Sequence, residues 1–158
     1  MNIFYLDEDP EVAAIVQYNK HVVKMILESA QMLCTAHRYY DNDDVPYKTA
    51  HLNHPSTIWV RQNTKHYFWL YKHMLALGEE YTHRYGKIHM SITKCKEPLR
   101  LAPINMPTYK FEQPPQCMPD EFKSDCAIHA YWAYYIGEKH VVAAKDEMIY
   151  KLNPAIAV

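Results

Sequence analysis

The sequence predicts an all-α fold: one domain over residues 1–158, a single-domain helical bundle around a central helix at about residues 20–40. The first observation behind this is the stretch KHVVKMILESAQMLCTAHRYY from Lys20 to Tyr40. Val22, Val23, Ile26, Leu27, Ala30, Leu33, Cys34 and His37 fall there on one broad face at helical spacing, the stripe of a helix that buries one side. A second run of helical period follows from Thr57 to Tyr85. The third observation is composition. With 3 glycines and 10 prolines in 158 residues, a turn-dense β architecture and a glycine-rich phosphate loop are both disfavoured, and helices joined by proline-bearing loops fit better. A chain of this length buries roughly two-thirds of its unfolded surface, so it needs no cofactor to form a core.

Residues 2–6, NIFYL, are an apolar run compatible with an extended segment or with the start of a helix. Asp9 is a candidate N-cap and Pro10 suits a first-turn position, which predicts a helix from there to about Tyr18. Asn19 offers an N-cap for the central helix, and DNDDVP stops that helix near Asp41 with turn formers and a proline. Residues 45–56 read as an irregular connection containing HLNHPS, with Pro55 where a helix can begin. From Thr57 the pattern is one amphipathic helix. Tyr67, Leu70, Tyr71, Met74, Leu75, Gly78, Tyr81 and Tyr85 lie on its inner side, while Lys65, Lys72, Glu79, Glu80, His66, His73 and His83 face solvent. Gly86 supplies its stop. Pro98 limits a short helix between Ser91 and Arg100. Prolines at 98, 103, 107, 114, 115 and 119 argue for a loop from Ala102 to Pro119, one that packs down through its Met, Tyr and Phe. Helical spacing returns in SDCAIHAYWAYYIGEKH, and residues 150–158 read as a loose tail. No repeat or linker divides the chain.

Apolar residues make up 49% of the chain and its net charge is -1, so it carries neither the signature of disorder nor a global footprint for polyanions. Nucleic acid would have to be met by a local strip, for which Lys20, Lys24, Lys139 and His140 are the candidates. Cys34, Cys95, Cys117 and Cys126 form no C-x-x-C and follow no secretory segment, which predicts reduced thiols in a cytoplasm. No apolar run approaches the length of about 18 residues that a membrane span requires.

Beside its apolar face the central helix carries a narrower polar row: His21, Lys24, Glu28, Gln31 and Thr35 at three- and four-residue steps. A Glu next to a Lys and a His on a partly desolvated face is a candidate general acid or base. The plainer reading is an i,i+4 charge pair closing the edge of the core. His51 and His54 invite a metal site, although the spacing of the cysteines and histidines is not that of common zinc sites; hydrogen bonding in the loop or the lining of a pocket is the alternative. The aromatic run from Tyr131 to Tyr135 packs a core or offers platforms for an unstacked base, with Lys139 near a phosphate.

The His21-x6-Glu28 pattern on an early helix resembles the small all-helical phage pyrimidine-dimer DNA glycosylase of the endonuclease V type. The YWAYYIGEK run ending at Lys139 is similar to that family's aromatic, Lys-containing C-terminal end, and NHP at 53–55, Trp59 and RYG at 84–86 are similar to related bacterial proteins. Over its whole length, through MNIFYLD, HVVKMILE and NHPS, the chain resembles a set of uncharacterised tailed-phage proteins. The glycosylase resemblance implies an N-terminal α-amine that attacks the sugar carbon of a damaged nucleotide, forms an imine, releases the base and cleaves the strand by elimination. α-Amines suit this chemistry as a class, because they titrate at roughly pH 8. Here the amine would be that of Met1, since Asn2 leaves the initiator in place; Glu28 would move protons and stabilise the sugar cation, and His21 would touch the phosphate backbone. Gln31 stands where the family has an Arg. The candidate catalytic residues are thus Glu28, His21 and Met1, and the candidate substrate contacts Lys24, Gln31, His51, Asn53, His54, Arg61, Tyr131, Tyr135 and Lys139, with no cofactor or metal. The expected function is a phage-type DNA-base or nucleotide-processing enzyme in the host cytoplasm, with DNA or a nucleotide as partner. The alternatives are a non-catalytic module that binds a nucleotide or a host protein as a counter-defence factor, and a metal-dependent enzyme using His51 and His54.

Overall fold

Among the described residues the helix signals translate into six α-helices: α1 (Pro10–Ile15), α2 (Asn19–Tyr39), α3 (Pro55–Arg61), α4 (Thr64–Tyr85), α5 (Met90–Cys95) and α6 (Ala127–Tyr134). A 3-10 turn at Asp120–Phe122 precedes α6, which runs on as a π-helical turn over Tyr135–Lys139. The computed structural model describes residues 1–139, with Lys139 in its backbone alone; His140 and the expected tail at 150–158 lie outside the described residues. No strand occurs among the described residues, and no helix there is long and apolar enough to cross a membrane. α2 packs mainly on α4 and also meets α3 and α5, while α1 lies along α4.

Local chemistry sets most element ends. Asp9 caps α1 by accepting from the Glu11 N–H at 2.8 Å, and Pro10 takes the first helical position. α1 stops at Ile15, short of Tyr18, because Gln17 and Tyr18 turn inward and are buried. Asn19 is the first residue of α2 rather than its cap; its Oδ1 accepts from Arg84 Nη1 at 2.8 Å. Arg84 also donates to the Gln17 and Ile15 carbonyls at 2.9 and 3.0 Å, and pairs with Glu80 at 2.8 Å, so one guanidinium from α4 fastens the α1–α2 turn.

The expected helix from 57 to 85 is two helices. Asn63 breaks it, with extended backbone (φ -162, ψ 133) and a side chain that accepts from the Lys65 N–H at 3.0 Å as the cap of α4. The same side chain holds the proline-rich loop, donating to the Tyr109 and Lys110 carbonyls at 3.1 and 3.0 Å and accepting from the Tyr109 N–H at 3.1 Å. α4 then runs to Gly86, whose φ of 71 is the left-handed C-terminal conformation glycine adopts without strain. The loop between α5 and the 3-10 turn is irregular and packs down as expected, with Trp59 donating to the Glu112 carbonyl at 2.9 Å and Met106 buried.

Burial departs from the simple face assignments. On α2, Val22, Ile26, Ala30, Leu33, Cys34 and His37 are buried, but Val23 and Leu27 are 38% and 39% exposed. Met25, Ser29, Met32 and Ala36, which fall outside both the apolar face and the polar row, are buried as well. The reason is that α2 is covered by three helices and by the N-terminal segment, so its apolar contact spreads well beyond one stripe. His66 and His73 are buried rather than solvated. His73 donates from Nδ1 to the Pro10 carbonyl at 2.9 Å and meets the Gln17 amide through Nε2, and its burial pushes the imidazole pKa down to about 4. His66 donates to the Trp59 carbonyl at 2.8 Å, accepts from the Glu112 N–H at 3.0 Å, and stacks on the Trp59 ring at 4.2 Å. All four cysteines are free thiols, Cys34 and Cys95 buried and Cys117 and Cys126 partly exposed.

Candidate active site

Residues 2–6 form an irregular strap, neither strand nor helix, with a tight turn where the Leu6 N–H donates to the Phe4 carbonyl at 2.8 Å, and the strap brings the amino terminus onto the polar row of α2. Ile3, Phe4, Tyr5 and Leu6 are buried, which gives the segment its own apolar anchor. Asn2 donates to the Cys117 carbonyl at 3.0 Å and accepts from the Ile3 N–H at 2.8 Å, and Trp132 of α6 donates to the Leu6 carbonyl at 2.8 Å. Phe4 takes a positive φ of 51, a conformation that surrounding contacts must enforce on a bulky residue. Its ring stacks on His21 at 4.2 Å and 13°.

With the strap so held, the Met1 amine sits 3.3 Å from Glu28 Oε1. Lys24, one turn earlier on α2, places its ammonium 3.9 Å from Glu28 Oε2 and is 62% exposed. Glu28 Oε2 is buried and has no hydrogen-bond partner among the described residues. These groups line a cavity of about 300 Å³ whose walls also include Asn2, Phe4, Lys20, His21, Met25, His54, Cys117 and Tyr134. The arrangement puts a primary amine and a carboxylate in contact inside a cavity, with two lysines on its lining. Chemically that is a nucleophile beside its own proton acceptor.

The histidines of the wall are held in defined states. His54 caps α3, accepting through Nδ1 from the Ser56 N–H at 3.1 Å, so in the neutral ring Nε2 carries the proton. Burial lowers its pKa, the positive N-terminus lowers it further, and His51 adds in the same direction against Glu28. His21 is 6% exposed, with Nδ1 2.6 Å from the Tyr135 hydroxyl. Burial holds Tyr135 well above the usual phenol range, so it remains protonated beside the imidazole. His21 therefore belongs to the wall, between Phe4 and Tyr135, rather than to an outward phosphate contact.

Of the sequence candidates, Met1, His21, Lys24, Glu28 and His54 come together in this cavity. Gln31 is half-buried one turn beyond Glu28 and, like the exposed His51 and Asn53, is not part of the lining. Arg61 is a correction: it is buried, donates to the Leu52 carbonyl at 2.6 Å and covers the Tyr39 ring at 4.5 Å, which makes it a clamp on the 45–54 loop. Tyr131 and Tyr135 are corrections as well. Both are fully buried, and Tyr131 donates to the Pro115 carbonyl at 2.7 Å, so neither presents a ring face on which a base could rest. Lys139 is described only in its backbone. Cys117, Asn2 and Tyr134 were named in the sequence in other connections, and Phe4 was not singled out; none was placed in this site. Cys117 lies in the proline-rich loop, where no periodicity marks a position as facing a site. Among the described residues no three His, Cys, Asp or Glu side chains are grouped to hold a metal ion, and the His54 Nδ1 is already engaged as a cap. Compared with models of known protein families, with curated proteins and with solved structures, the chain matches none.

Proposed function

We propose that the chain is a DNA glycosylase/lyase of the pyrimidine-dimer type, with that family's all-helical fold, in which the Met1 α-amine is the nucleophile and Glu28 its acid-base partner. The observation that carries the reading is the 3.3 Å contact between the amine and Glu28 Oε1 inside a cavity lined by Lys20 and Lys24. In the neutral form the amine attacks C1′ of the damaged nucleotide and the base departs with the electrons of its glycosidic bond. Glu28 takes the proton the amine loses. Opening of the sugar ring leaves an imine between Met1 and C1′, which acidifies the C2′ hydrogen; its removal expels the 3′-phosphate and cuts the strand. Lys20 and Lys24 meet the flanking phosphates, and His54 offers its Nε2 hydrogen to the cavity.

A second reading is a non-catalytic module that binds a nucleotide or a host protein in the same cleft, and the overall charge of -1, with two lysines and no arginine on the lining among the described residues, favours it. Borohydride trapping on ultraviolet-irradiated duplex DNA separates the two, because only an imine becomes covalently fixed. The expected result is a protein–DNA adduct whose peptide map places the bond on the Met1 nitrogen. Absence of an adduct across several lesion types, with nucleotide binding retained, would establish the binding module instead.

A further inference from the structure

We propose that two copies of this chain associate about a two-fold axis through a groove between α4 and α5. The groove, of about 360 Å³, is walled by Leu75 and Gly78 of α4, Ile92 of α5 and Ile88 of the turn that joins the two helices. Gly78 gives it its floor: a Cβ there would lie 2.6 Å from Ile92 Cγ1, so the absence of a side chain lets Ile92 settle onto the α4 backbone. Ile88 stands at the rim with 68% of its surface exposed, and Met90, the first residue of α5, is exposed as well. A hollow with apolar walls and a projecting apolar side chain thus belong to one face, and removing such a face from water is the main gain of association.

The charges on this face point to a second copy as its occupant. Glu79 of α4 and Lys96, just past the end of α5, also line the groove, one on each wall. Both are exposed, and neither has an ion-pair partner among the described residues, whereas the adjacent Glu80 and Glu97 are paired within the chain to Arg84 and Arg100. A face with one unpaired acid and one unpaired base on opposite walls is complementary to itself. Rotation by a two-fold axis brings Glu79 to the partner's Lys96 and Lys96 to the partner's Glu79, and turns each Ile88 toward the facing hollow. A polyanion or a polycation finds no such match, because each would meet one attractive and one repulsive charge there.

The test is sedimentation equilibrium of the full chain over a series of concentrations at low ionic strength. It is repeated for Ile88→Ser, Glu79→Lys and Lys96→Glu, and for an equimolar mixture of the two charge variants. The expected result is a reversible monomer–dimer equilibrium that Ile88→Ser weakens by about tenfold or more. Each charge variant alone weakens it by about tenfold or more, because the two-fold axis sets like charges opposite one another twice. The mixture recovers the original affinity as a heterodimer, since every introduced charge then faces its opposite. All three side chains are exposed, so melting temperatures should match that of the unsubstituted chain and a lost dimer is not a lost fold. A monomer at every concentration gives the groove to another occupant and overturns the proposal. A dimer indifferent to all three substitutions uses a different face and overturns it too, and a mixture that stays monomeric overturns the two-fold pairing of Glu79 with Lys96.

Discussion

Glu28 holds two relationships at once, with Oε1 on the Met1 amine at 3.3 Å and Oε2 toward Lys24 at 3.9 Å, and a single substitution separates catalysis from structure there. Glu28→Gln keeps the shape but removes the proton acceptor, so imine trapping should fall by about 10²–10⁴-fold. The lost charge-assisted contact should cost about 1–3 kcal/mol in urea denaturation of the same preparation. A destabilised variant that still traps at the original rate would make Glu28 a charge partner only. His73 predicts a pH dependence. Its unfolded imidazole takes a proton near 6.5 and its folded one only near about 4, so below 6.5 the unfolded state binds more protons and stability falls as the pH drops through that window. At roughly 1.4 kcal/mol per unit the loss is on the order of 3 kcal/mol. His37 and His66, also pushed down by burial, act in the same direction. Melting temperature followed from about pH 7 to about pH 4 should decline, and less steeply in His73→Gln.

The helices of this chain differ in what their ends hold. Gly86 ends α4 in open space at a φ of 71, so Gly86→Ala meets backbone strain and little else, a cost of about 1 kcal/mol. Asn63 starts the same helix but also carries three hydrogen bonds to Tyr109 and Lys110. Asn63→Ala loses the cap and all three bonds to the loop, a cost of about 2–4 kcal/mol. Chemical denaturation of the two variants should rank them in that order, and a reversal would mean that the proline-rich loop draws its anchorage from elsewhere. The strap is the third such element. Because the Met1 amine pairs with Glu28 in the cavity, residues fused ahead of Met1 remove both the primary amine and that contact. A chain carrying an uncleaved N-terminal tag should therefore fail to trap DNA, and removal of the tag to leave Met1 should restore trapping.

For the molecule as a whole, the overall charge of -1 means that any affinity for DNA is local. Lys20 and Lys24 are exposed and line the cavity. Each phosphate neutralised on a duplex adds about 0.9 to the slope of log affinity against log salt, so two lysines predict a slope of about -2. The double substitution Lys20→Ala and Lys24→Ala should flatten the slope by about that amount in a fluorescence-anisotropy titration. A wild-type titration with no salt slope would mean that the cavity takes a small uncharged ligand rather than a nucleic-acid backbone.

Asp9 and Pro10, Pro55 and Gly86 mark helix ends in the sequence because capping and φ preferences act within a few residues, and the structure places ends at all of them. The apolar period of α2 was legible for the same reason, and so was its row of His21, Lys24 and Glu28, since helical spacing alone puts those side chains on one side. What required the tertiary structure was which surfaces meet. Met25 and Met32 are buried while Val23 and Leu27 are exposed, and His66 and His73 sit in the core rather than in solvent, because the neighbouring helices, the strap and the proline-rich loop decide which faces are covered. Arg61, Tyr131 and Tyr135 proved to be structural because their partners, Leu52, Pro115 and His21, come from other segments. The cavity itself joins residues 1 and 2 to residues 20–28 of α2, to His54 and to Cys117. A helix propagates its own hydrogen-bond period along neighbouring residues and so writes itself into the sequence, whereas a contact between positions more than a hundred residues apart, such as Asn2 with Cys117, exists only once burial of the intervening core has brought them together.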